Sequence, residues 1–290
     1  RTRHEWTFVK YDTYDRAVLS GQYYNAVQTS SAAIQALVDT YYADAAHRHD
    51  VSLGGSGPMG YTQTAFPEGA SETELLTASY YDTYDFLGGS SLNGSDYTRP
   101  EALNDASGSL ELSEAFDRIK GQRTGSVTRL LGTEDFLSTL YYYDDEGRVI
   151  QAISENHLGG QDLISSQYDF SGNLRKIHSL ETTPSDTLEM LMEYAYDHAG
   201  RLIEGYHTLN GGARTHVFSH DYNEVGQLIQ KHLHGEGGLF QQTLDYTYHL
   251  KGWMEGINQS GGAENEGSPD PKDLFMMELI YDTFLPNLND

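Results

Sequence analysis

A tyrosine-aspartate-x-x-glycine motif returns along this chain at near-constant spacing, and that return restricts the fold more than any other feature. The segments are "YYYDDEGRVIQAI", "SQYDFSGNLRKI", "YAYDHAGRLIEG", "HDYNEVGQLIQK" and "YTYHLKGWMEGI". Aligned on the tyrosine four residues before the glycine, they begin at Tyr143, Tyr168, Tyr196, Tyr222 and Tyr248, in steps of 25, 28, 26 and 26 residues. A fixed period of this length marks an array of small units, none of which can bury an apolar face alone.

Each unit is legible from local chemistry. Before the turn, side chains alternate: Met190, Met192, Tyr194 and Tyr196 share one face, as do Phe218, His220 and Tyr222, and Leu244, Tyr246 and Tyr248. Period two defines a strand with one face towards a core. The first and fourth turn positions are Asp144/Gly147, Asp169/Gly172, Asp197/Gly200, Asn223/Gly226 and His249/Gly252. Asp or Asn accepts local backbone N–H bonds, and glycine tolerates a left-handed conformation, which suits a hairpin with a type I turn and a glycine bulge. The polar crowd at Asp197, His198, Arg201, Glu204 and His207 is therefore read as a turn and the start of a return strand. A two-stranded hairpin is marginal alone, so neighbouring units should stack edge to edge.

The fold class expected is mainly β: antiparallel hairpin repeats in a curved, cocoon-like sheet, with one inserted helix near the N-terminus. Residues 1–125 form an irregular repeat part. There "KYDTYDRAVLSG" places Asp15 at the glycine position, and "YYDTYDFLGG" is a second degenerate copy. Between them, Ala26 to Asp50 is expected to be helical, with a stripe of Ile34, Leu37, Val38, Tyr41 and Ala45 and a cap at Thr29 or Ser30. Residues 88–125 read as a long connection with little regular structure. Residues 126–290 carry the regular array, with a flexible insertion over 261–273.

Composition narrows the function. The 18 Lys+Arg against 43 Asp+Glu leave a formal charge of −25, which disfavours nucleic acid and anionic membrane surfaces. There are no cysteines, which excludes disulfides, thiolate metal sites and cysteine nucleophiles. No apolar run approaches the roughly 20 residues of a membrane-spanning helix, and "RTRHEWTFVK" has no signal-peptide core. The chain opens mid-strand in character, as expected of a piece of a longer polypeptide.

The repeated motif, with "GSVTRLLGTEDFLSTLYYYDDEGRVIQAISENHLGG" and "YTYHLKGWMEGIN", resembles the YD repeats of the RHS family, in the long form found in Bacteroidota-type bacteria. The resemblance covers residues 1–24, 61–88 and 125–284. It implies a secreted or cell-surface protein whose strands wind into a hollow shell around a C-terminal passenger, a toxin, and implies no enzyme activity or cofactor in this segment. The partners implied are that passenger on the same polypeptide, secretion machinery and surface partners, with no nucleic acid and no membrane insertion. The family's core segment with autoproteolytic aspartates is not found before Asp290, so neither a toxin nor a cleavage site is assigned.

Catalytic and metal readings fare less well. His232 and His234 lie two apart and would share a strand face, but they lack a third ligand; His47/His49 and His216/His220 are the other pairs. In a strand, His216 and His220 suit a tyrosine-and-histidine ladder. Asp144, Asp145 and Glu146 form a solvated turn tip rather than a calcium site. "GGSGPMG" lacks the lysine of a phosphate loop, and Gly-x-Ser-x-Gly is absent. Trp6 and Trp253 are assigned to packing and cross-strand stacking rather than glycan binding. The rival function is a surface adhesin using the Gly89–Gly125 and Gly261–Asp273 loops on glycan or protein; a glycosidase would need two carboxylates facing one cleft.

Overall fold

In the computed structural model, the alternating sequence folds into fifteen strands and one α-helix among the described residues. The structure describes residues 5–27, 30–53, 58–70, 74–86, 92, 97–104, 114–236, 239–259 and 273–281. The strands are β1 (Glu5–Tyr11), β2 (Ala17–Tyr24), β3 (Leu75–Tyr81), β4 (Arg123–Arg129), β5 (Phe136–Tyr143), β6 (Val149–Glu155), β7 (Gln161–Tyr168) and β8 (Leu174–Thr182). They continue as β9 (Thr187–Tyr196), β10 (Leu202–Leu209), β11 (Thr215–Tyr222), β12 (Leu228–Glu236), β13 (Leu239–Tyr248), β14 (Met254–Ile257) and β15 (Met277–Glu278). The fold is mainly β, as expected.

The chain divides into two compact units, Arg1–Gln167 with His178–Leu188, and Tyr168–Ile177 with Glu189–Asp290. The sequence-based division at 125/126 falls inside β4, within the first unit. In the first unit β1 to β7 pair antiparallel in chain order. In the second, β9 to β15 do the same. Short hairpins make this order the local solution for most strand pairs, while β2–β3, β3–β4 and β14–β15 are joined by longer connections.

The core of the first unit lies on one sheet face. Register places Lys10 opposite Leu19, Leu19 opposite Ala78, and Leu140 opposite Ile153. Two long connections cover that face. From the β2–β3 connection, Tyr61 donates to the Ser79 carbonyl at 2.6 Å and stacks on Tyr80, 5.8 Å between centroids. From the β3–β4 connection, Phe86 stacks on Tyr80 at 4.0 Å, Tyr84 donates to the Tyr141 carbonyl at 2.7 Å, and Thr98 exchanges two hydrogen bonds with the Gln151 side chain.

The helix is shorter than expected. It is α1, Ser31–Tyr41, capped by Ser30, whose hydroxyl accepts from the Ala33 amide at 3.2 Å; Thr29 lies outside the described residues. Ala45 is not on it. Asp44 caps a separate 3-10 turn over Ala45–His47 with its own side chain, ending the stripe before Ala45. Ile34, Leu37, Val38 and Tyr41 are half-buried. The 88–125 connection also holds more order than expected, with a 3-10 turn at Glu101–Leu103 and β4 already begun at Arg123. Of the 261–273 insertion only Asp273 lies among the described residues.

Glycines inside strands have a packing cause. Phe8 lies opposite Gly21, Phe218 opposite Gly205, and Phe240 opposite Gly235. A Cβ on Gly205 would stand 2.2 Å from the Phe218 ring, so the ring occupies the space that a side chain would take.

Candidate functional site: an interlock between hairpins

The five turn pairs adopt one geometry. The first-position amides of Asp144, Asp169, Asp197, Asn223 and His249 donate to the carbonyls of Arg148, Asn173, Arg201, Gln227 and Trp253 at 2.8 to 3.0 Å. The amides of Gly147, Gly172, Gly200, Gly226 and Gly252 donate back at 2.7 to 3.1 Å, with φ of 78, 84, 76, 85 and 84°. These φ values lie in the left-handed region, where a Cβ is strained. Each first-position side chain accepts inside its own turn. Oδ1 of Asp197 takes the Ala199 and Arg201 amides, both at 2.9 Å, and Asn223 takes Val225 and Gln227. Nδ1 of His249 accepts the Lys251 amide at 3.1 Å. Such an acceptor is what Asp, Asn and a suitably oriented His have in common.

Arginine after the glycine closes the turn from the side. Arg148 Nε reaches Asp144 Oδ2 at 2.7 Å, and Arg201 Nε reaches Asp197 Oδ2 at 2.6 Å. The turn amides, the Arg201 amide foremost, hold the Asp197 carboxyl below the usual range, and the Arg201 guanidinium adds to this. Asp12, Asp15 and Arg16 repeat the arrangement: Asp15 stands at φ 59° in the glycine place, and Arg16 Nε meets Asp12 Oδ2 at 2.7 Å.

Sequence reading missed one turn partner. The Asp82 amide donates to the Gln122 carbonyl at 3.1 Å, and the Gly121 amide, at φ 87°, donates to Asp82 Oδ1 at 2.6 Å. The motif at Tyr81 is thus one hairpin turn held open by a long inserted segment. Gln122 after the glycine, like Gln227 after Gly226, was the available signal. Asn156 and Gly159 close the same kind of turn between β6 and β7.

The tyrosine of the motif joins one hairpin to the hairpin before it. Its hydroxyl donates to the carbonyl two residues beyond the previous turn's fourth position: Tyr81 to Ala17 at 3.3 Å, Tyr143 to Arg123 at 2.6 Å, Tyr196 to Leu174 at 2.9 Å. Tyr222 to Leu202 at 2.9 Å, Tyr248 to Leu228 at 2.8 Å and Tyr281 to Met254 at 3.0 Å continue the series. The ladder register shifts beside the accepting carbonyls, at Tyr80/Tyr81 opposite Arg123 and between Leu202 and Glu204. Burial pushes the phenols of Tyr143, Tyr196, Tyr222 and Tyr248 up, which keeps them protonated as donors. Arginines lie on the next tyrosine ring, Arg16 over Tyr81 at 4.3 Å and Arg201 over Tyr222 at 4.8 Å.

Among the described residues no group of three or more potential ligands is assembled. His232 instead bridges Asp221 Oδ2 and Thr243 Oγ1, both at 2.9 Å, while His234 takes a left-handed φ of 53°. His216 stacks on Tyr206 at 4.4 Å, His220 on Phe218 at 4.6 Å, and His47 on Tyr41 at 4.5 Å. His198, Asp145 and Glu146 are exposed at turn tips, and Glu146 pairs with Arg148 at 2.9 Å. Asp144 is buried rather than solvated as expected, because its carboxylate turns inward onto the turn amides and Arg148. Trp253 stacks against His249 and Tyr281.

No protein-family model and no curated protein matches the sequence. Among solved structures, crystal structures of TcdB2-TccC3-TEV and TcdB2-TccC3-Cdc42 match at 10% and 12% identity, each over 87% of this chain with a TM-score of 0.27. The chain spans 12% of the length of each of those chains.

Proposed function

We propose that this chain is a non-enzymatic wall segment of an RHS-like YD-repeat protein, exported to the medium or the cell surface, which encloses a toxin or other passenger carried on the same polypeptide. The observation that supports it is the interlock. Turn and tyrosine recur as a self-extending unit, the turn side chain accepting from amides of its own turn and the tyrosine hydroxyl donating to a carbonyl of the hairpin before it. Such a unit adds hairpins in series without a new design at each step, which is what a large wall needs.

The test is protection. In the full-length gene product, a domain downstream of the repeats should resist protease while the repeats are intact and lose protection when several motif tyrosines are changed to phenylalanine together. Equal digestion of the passenger with and without the repeat region defeats the reading. The acidic composition adds that a basic passenger would be held by long-range attraction, so its retention should weaken in high salt.

A further inference from the structure

The first unit buries a lysine and an aspartate that the interlock does not use. Lys10 on β1 and Asp50 in the β2–β3 connection both have fully buried side chains, with Nζ 3.7 Å from Oδ2. The two oxygens of Asp50 are treated differently. Oδ1 faces the Thr64 amide at 2.5 Å, the Ala65 amide at 3.2 Å, and the hydroxyls of Thr62 at 3.0 Å and Thr64 at 3.2 Å. Oδ2 is buried with no hydrogen-bond partner and lies on the amine side. Gln63, held at a left-handed φ of 59°, accepts from Nζ at 2.6 Å and orients the amine.

We propose that Lys10 and Asp50 form an intramolecular isopeptide bond that clamps the β2–β3 connection to the first strand. The first step moves one proton from Nζ to Oδ2, which sets a neutral amine beside a carboxylic acid. The Nζ lone pair then attacks Cγ, and negative charge gathers on Oδ1, where two backbone amides and the threonine hydroxyls already point; this is the arrangement of an oxyanion hole. A second proton passes from nitrogen to Oδ2, the Cγ–Oδ2 bond breaks and one water leaves. The Nζ–Cγ bond remains, and nothing is oxidised or reduced. Burial depresses the proton affinity of the Lys10 amine, opposed by Asp50, Glu68 and Glu74, so the nucleophilic form is favoured by the same burial that holds the pair together. A chain with no cysteines has no disulfide with which to make such a clamp.

Mass spectrometry of the purified full chain decides this. The wild type should weigh one water less than its sequence, and its digest should contain a branched peptide joining the Lys10 and Asp50 segments, with no cleavage by trypsin after Lys10. Lys10→Arg keeps a cation beside Asp50 but cannot acylate, and should return the full sequence mass. Asp50→Asn should still cross-link, now with loss of ammonia. A wild type at full mass that yields two linear peptides overturns the proposal and leaves an ordinary buried ion pair. So does a water loss that persists in Lys10→Arg.

Discussion

In the first unit Leu140 and Ala78 are 0% exposed and Tyr143 is 7% exposed, whereas along β9 to β13 in the second unit the same alternation leaves Met192, Tyr196, Phe218, Leu233 and Tyr248 half-buried. Turn chemistry does not explain the difference, since Asp144–Gly147 and Asp197–Gly200 close with the same bonds. Cover does. The first unit carries two long connections folded over one sheet face, while the second joins its strands mostly by short turns. A hairpin array can therefore keep its register through the interlock and still lack a core. Apolar burial is contributed separately by whatever lies on the sheet.

Three measurements would break or sharpen that contrast. The largest effect is expected from Leu140→Ala, which should cost about 2–5 kcal/mol, against roughly 1 kcal/mol for Leu233→Ala at a half-exposed site. Urea unfolding read by hydrogen exchange of peptides from each unit reports both. Equal costs would mean that cover does not separate the units.

Next comes the phenol ladder. Tyr143→Phe removes the 2.6 Å donor to the Arg123 carbonyl from a ring that is only 7% exposed and should cost about 1–3 kcal/mol. Tyr248→Phe, where water can replace the lost donor to Leu228, should cost about 0.5–1.5 kcal/mol. A silent Tyr143→Phe would remove the ladder from the account of register.

The smallest effect is the response to acid. Burial lowers the proton affinity of His220, and the Leu202 carbonyl at its Nδ1 only partly offsets this. With its folded pKa depressed below an unfolded value of about 6.5, its contribution to stability is present above that pH and declines as pH falls towards the folded value. In the first unit, Arg16 holds the Asp82 carboxyl below its usual range. That contribution persists until pH falls below about 3.9. Protection from hydrogen exchange, taken relative to the intrinsic rate at each pH, should therefore fall first in peptides of the second unit between pH 7 and 5, and His220→Gln should flatten the fall. Parallel behaviour of the two units would contradict this assignment.

Most of one hairpin was legible because its causes are local. Asp197, Gly200 and Arg201 lie within a single turn, and the alternation of Met190, Met192, Tyr194 and Tyr196 needs only the strand period. The partner of Asp82 was not legible, because Gly121 comes after a long insertion and only closure of the strand pair brings them together. The helix was overextended for a related reason: the apolar stripe continues to Ala45, but Asp44 caps a new turn there with its own side chain.

The sequence by itself determined the strands, the turns and the period, since these follow from side-chain alternation and from backbone angles that few residues accept. Only the tertiary structure decided what each tyrosine is for. Its hydroxyl seeks a carbonyl about 20 residues back in Tyr143, Tyr196, Tyr222 and Tyr248, and 64 back in Tyr81. A hydrogen bond is specified by distance in space, and sequence separation does not record it. The same holds for Lys10 and Asp50, two unremarkable charges until folding removes the water between them.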